Sequence, residues 1–134
     1  AGCGGGGGGR LSKSQFVSRG DGLCLAQRNA DQSIGATRTV KTLAAKGDQL
    51  LASDRDALAR FGKLRPPSDL QGKFDAYVKL LRSSLDREAQ LVDAAKKGDV
   101  PRLRKLIVAI QQVRPQLVTA ARDVGFKVCS QSGA

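Results

Sequence analysis

SDLQGKFDAYVKLLRSSLDREAQLVDAAKKGDV, Ser68 to Val100, decides the fold. Leu70, Phe74, Tyr77, Leu81, Leu85, Ala89, Val92 and Ala95 recur at intervals of three and four, the period of a helix that buries one face. Both ends are punctuated. Pro66-Pro67 stops the preceding helix, because a residue before proline is pushed out of the α region and proline lacks an amide donor. Ser68 and Gln71 then have the spacing of a capping box. Gly98 is placed as a helix stop, and Asp99 as the cap of the next helix. Asp75 with Lys79, and Asp93 with Lys97, form i,i+4 pairs on the wet face.

The same pattern extends outward. Downstream, Leu103, Leu106, Ile107, Ile110, Val113, Leu117, Ala120 and Val124 make a stripe that Gly125 ends, and Pro115 is expected to kink that helix near Gln111. Upstream, Val40, Leu43, Gly47, Leu50, Asp54, Ala57 and Phe61 advance by three and four, which favours one helix from about 37 to 62. The rival reading breaks it at Gly47-Asp48, because Ala44-Ala45-Lys46-Gly47-Asp48 echoes the punctuation around Gly98-Asp99. The continuous helix matches its partners in length. The first helix opens at Ser12, with Gln15 completing a capping box and Leu11 and Phe16 placed as a hydrophobic staple. Its apolar positions are Phe16, Val17, Gly20, Leu23, Cys24, Ala30 and Ile34; Gly35 is a plausible stop and Thr37 a plausible next cap. The fold class expected is all-α: an antiparallel up-down-up-down four-helix bundle over residues 12–129. The first and fourth helices are expected to be neighbours, bringing Cys129 to Cys24 as a disulfide that ties the C-terminus to helix 1. Closing so long a loop stabilises by about 4 to 5 kcal/mol in the entropic account.

The N-terminus reads as an anchor. Ala1-Gly2-Cys3 has the form of the tail of a bacterial lipobox, with Cys3 expected to carry lipid such as palmitate, and Gly4 to Gly9 make a flexible tether. The signal peptide's earlier regions are expected to have been trimmed. The rival reading is an appended segment with an accidental cysteine. Residues 1–11 are thus tether and residues 130–134 a disordered tail. With Cys3 acylated, Cys24 and Cys129 remain as an even pair, as in exported proteins. No run of eighteen apolar residues occurs, so no spanning helix is expected.

Phe16-Val17, Asp21-Gly22-Leu23-Cys24, Leu64-Arg65-Pro66-Pro67, Ala95 to Val100, and Ala121 to Phe126 with Cys129 give the chain a likeness over nearly its whole length. It resembles helical-bundle lipoproteins of unknown function from high-GC Gram-positive (actinobacterial) bacteria. That resemblance implies an extracytoplasmic protein anchored to the outer face of the cell membrane. It brings no activity with it.

Chemistry is sparse. There is no histidine, which removes Ser-His-Asp and Cys-His arrangements, the usual zinc sites and the di-iron bundle motif. No catalytic residue, metal site or cofactor is expected. Asp54 and Asp56, like Asp86 and Glu88, are two apart and point to different helix faces. Asp54 alone lies on an apolar stripe, where burial would raise its pKa; a buried ion pair with an arginine, or a place at the stripe's edge, is the favoured reading, over a lone acid or ligand contact. Tyr77 is read as core.

Net charge is +11, with pI near 10.2, which favours anionic partners. Arg60, Lys63 and Arg65 are expected to face the membrane, where basic residues support a single acyl chain. Lys96, Lys97, Arg102, Arg104 and Lys105 form the candidate distal anion-binding cluster. The expected function is non-catalytic binding or scaffolding at the cell envelope, towards anionic polymers or lipid head groups. The alternative is a small-ligand carrier with a cavity between helices, for which a concave apolar cleft would be diagnostic. Nucleic-acid binding ranks third, since no interleaved aromatics accompany the charge.

Overall fold

A computed structural model describes residues 9–131. Cys3 and most of the glycine run lie outside the described residues, as do residues 132–134. Four helices, α1 (Lys13–Ile34), α2 (Val40–Gly62), α3 (Gln71–Lys97) and α4 (Val100–Asp123), form an antiparallel up-down-up-down bundle. No strand occurs among the described residues.

Local chemistry sets the boundaries. Ser12 Oγ accepts from Gln15 N at 3.2 Å while Gln15 Oε1 accepts from Ser12 N at 3.1 Å, satisfying two otherwise orphaned donors at the start of α1. Gly35 ends α1 at φ +90°. Thr39, rather than Thr37, caps α2, through a reciprocal pair with Thr42. The Ser68 capping box does not form: Ser68–Leu70 is a 3₁₀ turn without a side-chain cap, and α3 begins at Gln71. Asp75 pairs with Gln71 (2.8 Å) rather than Lys79. Gly98 takes the left-handed conformation at φ +64°, and Asp99 Oδ1 accepts from Arg102 N at 3.2 Å, as the spacing implied. α4 runs through Pro115 to Asp123 as a single helix.

Gly47 does not break α2. It is buried inside the helix, and a Cβ there would lie 2.5 Å from Val92 Cγ1. The glycine is a close-approach site between α2 and α3, which offsets its helix-propensity cost of about 1 kcal/mol.

Packing is sequential: α1 lies along α2, α2 along α3 and α3 along α4, but the backbones of α1 and α4 do not come into contact. The expectation that they are direct neighbours is therefore corrected. The C-terminal segment bridges them. After Gly125 (φ +93°), Phe126 inserts among Phe16, Phe61, Phe74 and Tyr77, with ring centroids 5.0, 6.1, 6.4 and 5.7 Å away. Asp21 accepts the backbone N–H groups of Lys127 and Val128 at 3.2 and 2.8 Å. Cys24 and Cys129 are joined by a disulfide with Cα atoms 5.3 Å apart.

Two cores result. Phe16, Phe61, Leu70, Phe74, Tyr77, Ala121, Val124 and Phe126 form one. Leu43, Leu51, Val92, Ala94, Ala95 and Leu103 form the other, which takes nothing from α1. Phe16 and Gly20 are the buried residues of α1, and both lie in its first half.

Candidate functional site

The gap between α1 and α4 opens into a cleft of about 380 Å³ that all four helices line. Its floor is apolar: Phe61, Tyr77, Leu81, Leu85 and Leu117, next to the Cys24–Cys129 bridge. Its walls carry three carboxylates, Asp31 from α1, Asp54 from α2 and Glu88 from α3. Arg28 and Arg114 stand at the same cleft, Arg28 Nη2 donating to Gln131 Oε1 at 3.0 Å.

A polar chain organises the carboxylates. Gln27 Nε2 donates to Asp31 Oδ1 at 3.0 Å and also to Asp54 Oδ1. Ser53 Oγ donates to Gln27 Oε1 at 3.4 Å, and Ser84 Oγ to Glu88 Oε1 at 3.3 Å. Burial pushes Asp54 up to about 8, helped by its hydrogen bond to Glu88 and the charge of that residue, against the opposing donor Gln27. Burial, then the charge of Asp54, raises Asp31 to about 6, again opposed by Gln27. Two carboxyl groups at one site resist ionising together, so the Asp54 site favours a proton above the ordinary carboxylate range. Of the two readings favoured for Asp54, the ion pair with an arginine is corrected: its partners are Gln27 and Glu88.

Tyr77 is core, as its stripe position implied, at 3 % exposure. It also lines the cleft. Burial and the nearby Asp21 carboxylate keep its hydroxyl protonated well above the usual range. The polar neighbour of that hydroxyl is the disulfide sulfur Cys24 Sγ at 3.9 Å, which carries no hydrogen and accepts weakly.

The sequence missed this grouping, yet a signal was there. On α1 the buried face runs Gly20, Cys24, Gln27, Asp31; on α2, Leu50, Asp54, Ala57, Phe61; on α3, Tyr77, Leu81, Ser84, Glu88. Each helix places a carboxylate where its apolar stripe would continue. A stripe interrupted by polar groups on three helices at once marks a polar interior site, which reading each helix separately conceals.

The basic clusters sit at opposite ends. In the distal cluster, Lys96 Nζ pairs with Asp48 at 2.6 Å, while Lys97 Nζ and Arg102 Nη1 share Asp93 Oδ2 at 3.0 and 2.9 Å. Those two cations hold the Asp93 carboxyl below its ordinary value. Arg104 and Lys105 are exposed on α4 with no ion pair among the described residues. At the other end Arg60 pairs with Asp56 at 2.9 Å, and Arg60, Lys63 and Arg65 are all exposed. Residues 9–11 enter there: Leu11 N donates to Arg65 O at 2.8 Å, and Arg10 Nη1 to Pro66 O at 3.0 Å. Gly9 lies beside Arg65 and Gln71.

Among the described residues no group of three or more Cys, Asp or Glu has the geometry to hold a metal, and no helix is long and apolar enough to cross a membrane. No family model matches the chain, and no curated protein or solved structure matches it.

Proposed function

We propose that this chain is a lipid-anchored, extracytoplasmic small-ligand-binding protein without catalytic activity. The observation that carries the binding role is the interhelical cleft: concave, floored by apolar side chains and walled by a few convergent polar groups, the ordinary make-up of a small-molecule site. A closed core with only a basic distal end would have favoured scaffolding instead. The anchor rests on Ala1-Gly2-Cys3 and the glycine run, and the entry of residues 9–11 beside Arg60, Lys63 and Arg65 supports it. Those side chains would strengthen the hold of an acyl chain on an anionic bilayer. Exposed Arg104 and Lys105 favour a second role, weak retention of anionic envelope polymer at the far end.

Two measurements test this. Expressed behind a lipoprotein signal peptide, the protein should partition with membranes and Cys3→Ser should release it; equal partitioning of both contradicts the anchor. Amide spectra recorded against a small-molecule library should show hits that shift Gln27, Asp54, Leu81 and Leu117 together; hits confined to the outer surface contradict the binding role.

A further inference from the structure

We propose that the outer face of α4 docks on an anionic lipid bilayer, with Val100, Ile107 and Val108 entering the head-group boundary and Arg104 and Lys105 meeting lipid phosphates. The inference rests on the anion-binding reading of Arg104 and Lys105 and names lipid as the source of the anion. It does not depend on the cleft or on Cys3.

α4 carries more apolar surface than the bundle covers. Leu103 and Leu106 pack into one core and Leu117 against the other. Ile107, which the spacing placed on that same stripe, is instead 44 % exposed. It shares a second face with Val100 and Val108, 41 % and 52 % exposed, because positions i, i+7 and i+8 lie on one side of a helix. Arg104, at i+4, stands on the same side, and Lys105 flanks it. Single exposed aliphatic side chains are ordinary; these three gather between residues 100 and 108, among cations.

Three features choose the occupant. From Val100 to Arg122 the helix holds five cations and no carboxylate. Arg102 is spent on Asp93, whereas Arg104, Lys105, Arg114 and Arg122 make no ion pair among the described residues. A second copy of the chain would set like charges against one another with nothing on this face to neutralise them. The apolar members are aliphatic and α4 has no aromatic residue, while protein partners are gripped mainly by aromatic and arginine anchors seated in pockets. A bilayer asks for no pocket. A helix with apolar and basic residues on its exposed side lies in the interface plane, its apolar atoms about 5–10 Å into the head-group and acyl boundary. A soluble polyanion would use the cations and leave the aliphatic residues in water.

The chain has no tryptophan, so a single introduced one reports its own surroundings. The test uses the unacylated 134-residue chain with its disulfide formed. Its probes are vesicles of equal parts phosphatidylglycerol and phosphatidylcholine, vesicles of phosphatidylcholine alone, and soluble polyphosphate. Fluorescence of Val108→Trp should shift to the blue on the anionic vesicles and be quenched by brominated acyl chains. Leu25→Trp, at a site 48 % exposed on α1, should bind the same vesicles and do neither. Polyphosphate should bind without a shift from position 108, and phosphatidylcholine alone should bind weakly. In the otherwise native chain, Ile107→Ser with Val108→Ser should weaken binding to anionic vesicles by at least about fivefold and leave polyphosphate binding unchanged. Arg104→Gln with Lys105→Gln should weaken vesicle binding by about fivefold per residue. Unchanged melting temperatures in both pairs separate lost contacts from lost fold. Equal shifts from positions 25 and 108, or vesicle binding that the serine pair does not weaken, overturns the bilayer inference and leaves an end that retains anions by charge alone. Absence of binding to anionic vesicles overturns it as well. None of these outcomes bears on the cleft, which its own amides report, or on the anchor, which the unacylated chain lacks.

Discussion

Phe16 is sealed among aromatic rings at 0 % exposure, whereas Asp31, about four turns further along the same helix, stands at the wall of an open cleft. The difference divides the molecule. At the end where residues 9–11 enter, all four helices and the C-terminal segment share one aromatic core. At the Gly98 end the core belongs to α2, α3 and α4, and α1 runs alongside without contributing to it. Fastening α1 at one end leaves its other half to wall the cleft. The polar residues Gln27 and Asp31 are tolerated on its inner face because that face meets an open cleft and not a sealed core.

The largest effect expected from breaking this asymmetry is loss of the disulfide. It fastens α1 to the C-terminal segment across 105 residues of sequence, so Cys24→Ser/Cys129→Ser should cost about 4 to 5 kcal/mol in urea unfolding. Phe126→Ala should follow at about 3 to 5 kcal/mol, since the ring is buried among four others. The matching change in the second core, Leu43→Ala, should cost about 2 to 3 kcal/mol and leave the disulfide-linked end intact. Equal costs for Phe126→Ala and Leu43→Ala would erase the distinction between the two cores.

A subtler contrast lies in the glycines. Gly47→Ala should destabilise by about 1 to 3 kcal/mol, because its Cβ would meet Val92 inside a packed interface. Gly72→Ala, with nothing within 4 Å of the new carbon, should stabilise by up to about 1 kcal/mol. Urea midpoints for the two variants should move in opposite directions.

Much of the fold was legible because it is written in local chemistry. Ser12 with Gln15, Gly98 with Asp99 and the Pro66-Pro67 stop act within a few residues, and the Cys24–Cys129 pair forms although the α1–α4 contact expected to bring it together does not. The Ser68 box failed because the turn after Pro67 is 3₁₀, which no spacing rule reports. The site was hidden for a different reason. Asp31, Asp54 and Glu88 are far apart in sequence, and even Asp54, which stands on its stripe, names no partner there; only the packing of α1, α2 and α3 sets them together. The α1–α4 gap was equally unreadable, since a helix's apolar period does not say how far along its length a neighbour accompanies it.

The smallest effect expected is on pH dependence. A carboxyl whose folded pKa is raised binds a proton that the unfolded chain has lost, so stability falls as pH rises from about 4 towards 8 for Asp54 and towards 6 for Asp31. The lowered Asp93 has the opposite sign, its contribution being lost as pH falls below the ordinary carboxylate range. Melting temperatures should therefore decline between pH 5 and about 8, and Asp54→Asn should flatten most of that decline. An unchanged slope in the variant would place the titrating group elsewhere.

Native-state hydrogen exchange along α1 tests the central claim most directly. Amides from Phe16 to Cys24 should exchange only with global unfolding, while those from Arg28 to Ile34 should exchange through local opening at clearly lower free energy. Uniform protection along the helix would contradict an α1 fastened at one end, and with it the open cleft on which the proposed binding role rests.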